Sequence, residues 1–203
     1  IFSIVFVIFG CAKSTIKKSL NECSRANQYT TATVLSIDRV DNKFAECVQK
    51  KLKKYLQYIK FIPGEKFREA LFPWFEPDTA PKEIEELSAL LSKTIVKKRI
   101  ESLGVELLIY VEGNTTTYGE AGACEIAFIY SGERFTHIST TVWDLKEIVR
   151  IGDTNISRQG SVHAGCLLII PFIIPAPTES DACSETAKQI YDCLASKVSQ
   201  TEK

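Results

Sequence analysis

The residues best suited to chemistry in this sequence are its seven cysteines, Cys11, Cys23, Cys47, Cys124, Cys166, Cys183 and Cys193. No two of them stand in the CxxC spacing of a zinc ribbon or a thioredoxin-like site, so metal and dithiol exchange chemistry are not indicated. Six cysteines remain once Cys11 is set apart for the reason given below, and an even number suits up to three disulfides in an oxidising compartment. Fifteen pairings of six are possible, and spacing excludes one contact. Cys183 and Cys193 lie on one expected helix, ~15 Å apart at 1.5 Å per residue, too far to bond. The two histidines, His137 and His163, have no neighbouring acid and nucleophile that would make a triad. Asp38, Asp41 and Glu112 form the one acidic set with a plausible place, at the carboxyl ends of strands, where a divalent cation could assist hydrolysis. Asp41 also suits a helix cap and Asp38 a surface strand end. The leading expectation is therefore no enzyme, no catalytic residue, no metal and no cofactor, with a metal-dependent hydrolase on that acidic set as the alternative. Stabilisation of the protein by Mg²⁺ or Ca²⁺ separates the two.

Cys11 stands apart because of what precedes it. Residues Ile1 to Phe9 carry no charge, too short a run to span a bilayer as a helix but suited to the apolar core of an export signal. The run closes in Ile8-Phe9-Gly10-Cys11, which resembles a bacterial lipobox, with an aliphatic residue at −3 and a small one at −1. Phe9 at −2 departs from that pattern. The resemblance implies a signal peptide over residues 1–10, cleavage before Cys11, and acyl chains, palmitate among them, on Cys11. With Ala12 next rather than Asp, it implies the periplasmic face of the outer membrane. The chain has no Met and opens within the apolar run, so the expectation is a precursor lacking its first residues.

The 25 basic and 25 acidic residues cancel, leaving no overall field for nucleic acid. The expected partners are a membrane, through the lipid, and an envelope protein or further copies of the chain. Residues 11–30 lack a sustained period and read as a lipidated tether ahead of one domain over residues 31–200.

Within that domain, residues 31–38 alternate as a strand. Asp41 stands where a cap is needed, before a helix with Phe44, Val48, Leu52, Tyr55, Leu56 and Ile59 on one stripe. Phe61 to Gly64 reads as a strand end and turn. Helices are expected from about Asp78, with Pro81 in the first turn, and over Thr94–Leu103, closed by Gly104. Val105 to Glu112 is a dense apolar strand. Gly113 to Gly122 reads as a mobile loop. Strands over residues 124–130 and 134–143 flank Ser131-Gly132-Glu133, a turn signal, and an antiparallel meander runs on to Ile170. A helix from about Glu179, with Thr178 and Asp181 at capping-box spacing, ends the chain. This is an α/β (α+β) fold: a mixed sheet with an antiparallel C-terminal meander and helices packed on it. The order of elements, with the run Leu103 to Tyr110, resembles the small α/β domains of the Tol-system periplasmic protein and of curli-secretion-type lipoproteins. That resemblance implies the fold and a role in envelope assembly, and no residue roles.

Two apolar stretches are candidate contacts with a partner or membrane. One is the aromatic cluster Phe72-Pro73-Trp74-Phe75, represented by Trp74 and Phe75. The other is the run Leu167 to Pro175, where Pro171 and Pro175 cannot donate to a ladder and Phe172, Ile173 and Ile174 need a place to go.

Overall fold

The structure, a computed structural model, describes residues 13–19, 29–36, 42–76, 78–81, 83–124, 127–167, 170–174 and 177–195. For residue 84 and the strand segments 13–19, 120–124, 127–129, 165–167 and 170–174 the description is of the backbone. Twelve elements follow in order: β1 (Lys13–Ser19), β2 (Thr31–Ser36), α1 (Lys43–Tyr55), β3 (Lys60–Ile62), α2 (Gly64–Ala70), α3 (Ile84–Leu91), α4 (Thr94–Leu103), β4 (Leu107–Cys124), β5 (Ala127–Asp144), β6 (Val149–Leu167), β7 (Ile170–Ile174) and α5 (Thr178–Ala195). They form the expected α+β fold. One seven-stranded mixed sheet has the order β1-β6-β5-β4-β2-β3, with β7 also pairing β6. Only β2–β3 and β2–β4 are parallel; β4, β5, β6 and β7 make the antiparallel meander.

Two cores cover the two faces of the sheet's lower half. On one face Phe44, Val48 and Leu52 of α1, four residues apart, meet Ile109, Val111, Ile138 and Ile156 of the sheet and Ala187 and Ile190 of α5. On the other, Phe67, Leu71 and Phe75 join Leu87, Leu91, Val96 and Ile100 over Leu108, Tyr110 and Trp143. The strand alternation of β4 divides its residues between these cores, which is why Val105 to Val111 is apolar at nearly every position. Helices α1 and α5 lie side by side and parallel. Cys47 bonds Cys183 near their starts, and eight residues further along each helix Tyr55 stacks on Tyr191, ring centroids 5.3 Å apart.

Several expectations need correction. Residues 13–19, within the expected tether, form an edge strand on β6, Lys13 opposite Gln159 and Ser19 opposite Asp153. Alternating Thr15 and Ile16 beside the lysines gives this short segment enough strand character once β6 offers it a ladder. The expected loop Gly113–Gly122 is continuous strand, as is Ser131-Gly132-Glu133. Gly119 sits opposite Gly132, so the glycines that suggested a turn are a cross-strand pair, and the reversal lies between Cys124 and Ala127. Gly113 leaves room for the Phe44 ring, which a Cβ there would meet at 2.6 Å. Phe61 and Ile62 do end a strand, but from Gly64, where a turn was expected, the chain enters a helix, Gly64–Ala70, that was not expected. A Cβ on Gly64 would lie 2.8 Å from the Val34 carbonyl, so glycine lets α2 start against β2. Helix α3 begins at Ile84, not near Asp78; Pro81 is buried between a turn and that helix, and its carbonyl accepts the Tyr110 hydroxyl at 3.1 Å. Gly104 does close α4, in the left-handed conformation at φ 65°. Thr178 starts α5, with its hydroxyl oxygen accepting a hydrogen bond from Thr136.

Candidate functional site

Beyond the two cores the sheet continues as a blade. The helices end near Ile138 and Ile156, while β4, β5 and β6 run on from Asn114 to Cys124, from His137 back to Ala127, and from Ser157 to Leu167. At about 3.3 Å per residue the blade projects roughly 33 Å. Its sequence becomes steadily less polar outward. Residues 121–130 contain one charge, Glu125, and residues 162–174 contain none apart from His163 when protonated.

The start of α5 braces the root of the blade. The Arg134 guanidinium donates to Glu179 at 2.7 Å, and Lys43 of α1 lies 3.7 Å from the same carboxylate. Arg158 faces Glu185 at 3.7 Å. Beneath them Thr136 donates to Thr178 at 2.9 Å and pairs with Thr115 at 3.1 Å, while Thr140 bonds Thr154 across the strands. These buried hydroxyls satisfy one another, so a polar layer can cross the sheet under α5 with little desolvation cost. The sequence contained a signal for this layer: Thr136 and Thr140 share one face of β5, and Thr115 and Thr154 stand opposite them on the neighbouring strands.

The opposite face of the blade is open. Tyr118 and Phe135 meet edge to face, centroids 6.0 Å apart, and are 65% and 37% exposed. Below them Asn114, Thr116, His137, Ser157 and Gln159 line a shallow hollow. His137 Nδ1 is 2.9 Å from the Ser157 hydroxyl, and His163 Nδ1 is 3.2 Å from that of Ser131. Both are cross-strand pairs on an exposed surface. Neither Tyr118 nor Phe135 was singled out by the sequence, because each stood in a segment read as loop or beside a supposed turn.

The base of the sheet is stitched by two acids. Tyr29 donates to Asp144 at 2.8 Å, and the Asp144 carboxylate also accepts the Lys146 N–H at 2.8 Å in the turn before β6. Glu106 accepts the Thr30 N–H at 2.6 Å and pairs with Lys146 at 2.7 Å. Burial works to raise the Glu106 pKa, but the bonds from Lys146 and Thr30 prevail and hold it below the ordinary value. Tyr110, buried under Pro81, has its hydroxyl pKa pushed up to about 12, mainly by burial.

The candidate residues are spread over the molecule. Phe75 is a core residue, 4% exposed and edge-on to Phe67, which corrects its place among the contact residues. Trp74 is half-buried under the Arg99 guanidinium, 5.1 Å from its ring. Phe72 is the exposed member of that cluster, at 58%. Phe172, Ile173 and Ile174 lie on β7, level with Gly165, Ala164 and His163 of β6. Cys124 and Cys166 lie near the blade's end, on β4 and β6 with β5 between them. Cys47 and Cys183 form one of the expected bridges, and Cys193 is also disulfide-bonded. Cys11, Cys23, Asp38 and Asp41 lie outside the described residues. Among the described residues no three His, Cys, Asp or Glu side chains gather as a metal site. Nor, among them, is any helix long and apolar enough to cross a membrane.

No protein-family model and no curated protein matches the sequence. Among solved structures the chain is similar to the PelC dodecamer from Paraburkholderia phytofirmans, with 7% identity over 91% of this chain and 99% of that one, at a TM-score of 0.47. A second structure of PelC from the same organism, of a point variant, matches at 4% identity over 88% and 98% of the two chains, also at 0.47. A neuraminyllactose-binding hemagglutinin homologue from Helicobacter pylori matches at 12% identity over 84% and 81%, with a TM-score of 0.30.

Proposed function

We propose that this chain is a non-enzymatic assembly or binding module of the bacterial envelope, held by lipid on Cys11 at the periplasmic face of the outer membrane, with the strand blade as its contact element. The observation that carries this reading is the blade itself. A sheet that continues far past its helices, growing more apolar outward, is built to meet another surface, since apolar area left in water contributes nothing to the fold. The lipobox-like run ending at Cys11 supplies the membrane. Strand β1 begins at Lys13, level with Gln159 on the blade, and runs from there toward the base. Cys11 precedes that strand by two residues in sequence, so acyl chains there would tether the chain on the β1 side of the blade. Two or three acyl chains are enough for lasting attachment, each buried CH₂ contributing about 0.8 kcal/mol.

Expression of the full gene in a bacterium tests the anchor. Wild type should partition into membranes and take up labelled palmitate, and Cys11→Ser should do neither; equal labelling refutes the lipid. The contact role is tested in the lipid-free domain by replacing Phe172 and Ile173 with Ser. Association with liposomes or envelope extracts should fall while the unfolding temperature barely moves. A large loss of stability with unchanged association would show that these residues serve the fold instead.

A further inference from the structure

The blade has two unpaired edges, and they match. On one side β2 accompanies β4 only from Leu107 to Val111, so from Glu112 to Cys124 the outer edge of β4 faces no strand among the described residues. On the other side β6 carries β1 against residues 153–159 and β7 against residues 163–167, and the outer edges of β1 and β7 are likewise open among the described residues. Glu112 is level with Ser139, Asn155 and Lys17, and Cys124 with Ala127, Leu167 and Ile170. The two edges therefore stand at the same height on the blade. Their directions also fit. Strands β4 and β6 run outward, and β1 and β7 run back, so a β4 placed beside β7 and β1 continues the antiparallel alternation.

We infer that the partner of the blade is a second copy of this chain, joined head to tail, with the β4 edge of one copy against the β7 and β1 edge of the next. This names the partner for the contact element proposed above and rests on that reading. An open strand edge of this length attracts other strands indiscriminately unless something covers or selects it. Charge selects here. Strand β1 carries Lys13, Lys17 and Lys18 and no acid, whereas the part of the open β4 edge level with it, residues 112–116, carries Glu112 and no base; Glu120 stands further out, level with Ile174 of β7. Pairing β1 with β1 sets lysines against lysines, and pairing β4 with β4 sets acid against acid. Only the mixed pairing brings opposite charges together. A contact between two different surfaces repeats from copy to copy and closes into a ring when the rotation allows. Pairing also gives the apolar outer blade the backbone partners that a lipid environment would demand.

The test is zero-length carbodiimide cross-linking of the full chain, purified in mild detergent, with mass by light scattering. Within one copy β5 and β6 separate Glu112 from Lys17, about 14 Å at 4.8 Å per strand spacing, so no zero-length link can join them. A Glu112–Lys17 link is therefore a link between neighbours. Expected are that link, masses at multiples of one chain, loss of both in Glu112→Lys, and recovery when Lys17→Glu is added, with circular dichroism confirming that each variant folds. A single-chain mass at every concentration overturns the inference. So do multiples without the Glu112–Lys17 link, or no recovery in the charge swap. Failure of Cys11→Ser to lose its membrane hold with the link intact would instead strike the anchored role and leave edge pairing standing.

Discussion

Replacing Cys47 and Cys183 together by Ala should lower the unfolding temperature by about 9–12 °C, and the figure follows from the topology. The bridge spans a sequence separation of 136, from the start of α1 to the start of α5. Closing a loop of that length in the unfolded chain corresponds to about 5 kcal/mol on the chain-entropy account. The second bridge, at Cys193, remains in the variant, and with Cys23 as the partner predicted below it shortens that loop. Because the dependence on length is logarithmic, a loop reduced to some thirty residues still corresponds to about 4 kcal/mol. For 203 residues the unfolding entropy near the midpoint is about 0.43 kcal/mol/K, which converts 4–5 kcal/mol into the temperature stated. The assay is thermal unfolding by circular dichroism at a fixed scan rate, with native chromatography to confirm that the variant is folded. Parallel α1 and α5 keep their stacked Tyr55–Tyr191 pair, so the helices should stay docked below the transition. A shift under about 4 °C would refute the reasoning, because the Cys47–Cys183 link would then not be restricting the unfolded chain.

Glu106→Gln should cost about 1–2 kcal/mol at neutral pH, by weakening charge-assisted bonds from Thr30 and Lys146. The folded-state pKa is lowered, so the carboxylate's stabilisation is full above the ordinary glutamate range and is lost as pH falls through the folded value. Urea unfolding at pH 7 and pH 3 should show the gap between variant and wild type closing in acid; a constant gap contradicts this. Gly119→Val places a Cβ 2.5 Å from the Tyr130 hydroxyl and 2.7 Å from the Gly132 Cα. Hydrogen exchange should speed up across the blade while the protection of α1 and β2 is retained, and uniform loss of protection would mean that blade and base unfold together. Peptide mapping without reduction should recover Cys193 joined to a fragment containing Cys23. A link to Cys124 or Cys166 would contradict the register, which puts both near the outer end of the blade.

Where one core dictated one period, the sequence was legible. The α1 stripe at Phe44, Val48 and Leu52, the apolar run from Val105 and the Gly104 stop each expose a single physical requirement, and all three stand where that requirement puts them. The short helix α2 was hidden because it shows only Phe67 to its core, with Leu71 following just past its end, too few positions to establish a period. Helix α3 was drawn too early because Pro81 suits a first turn, while its carbonyl is in fact taken by Tyr110 of the sheet, a partner distant in sequence.

The blade was harder to read for a reason tied to its proposed work. A strand between two cores advertises itself by burying side chains, but Asn114 to Gly119 are mostly exposed, and their strand state comes from ladder bonds to β5. Glycines that mark turns elsewhere here lie opposite each other, Gly119 against Gly132, with the Tyr130 hydroxyl over both. Local propensity favours breaking the strand at such a pair, and the surrounding register overrides it. The polar stretch nearest the helices thus resembles a loop, and the apolar stretch beyond it resembles core without a core to join. Both features follow if the outer strands are completed by something other than this chain's own helices. The proposed edge pairing would satisfy the backbone of β4 from Glu112 outward, and a surface along the tip would meet the apolar sequence of residues 121–130 and 162–174. A sequence that specifies such a blade specifies half of an interface, and its period becomes intelligible once the other half is supplied by β1 and β7 of a neighbour.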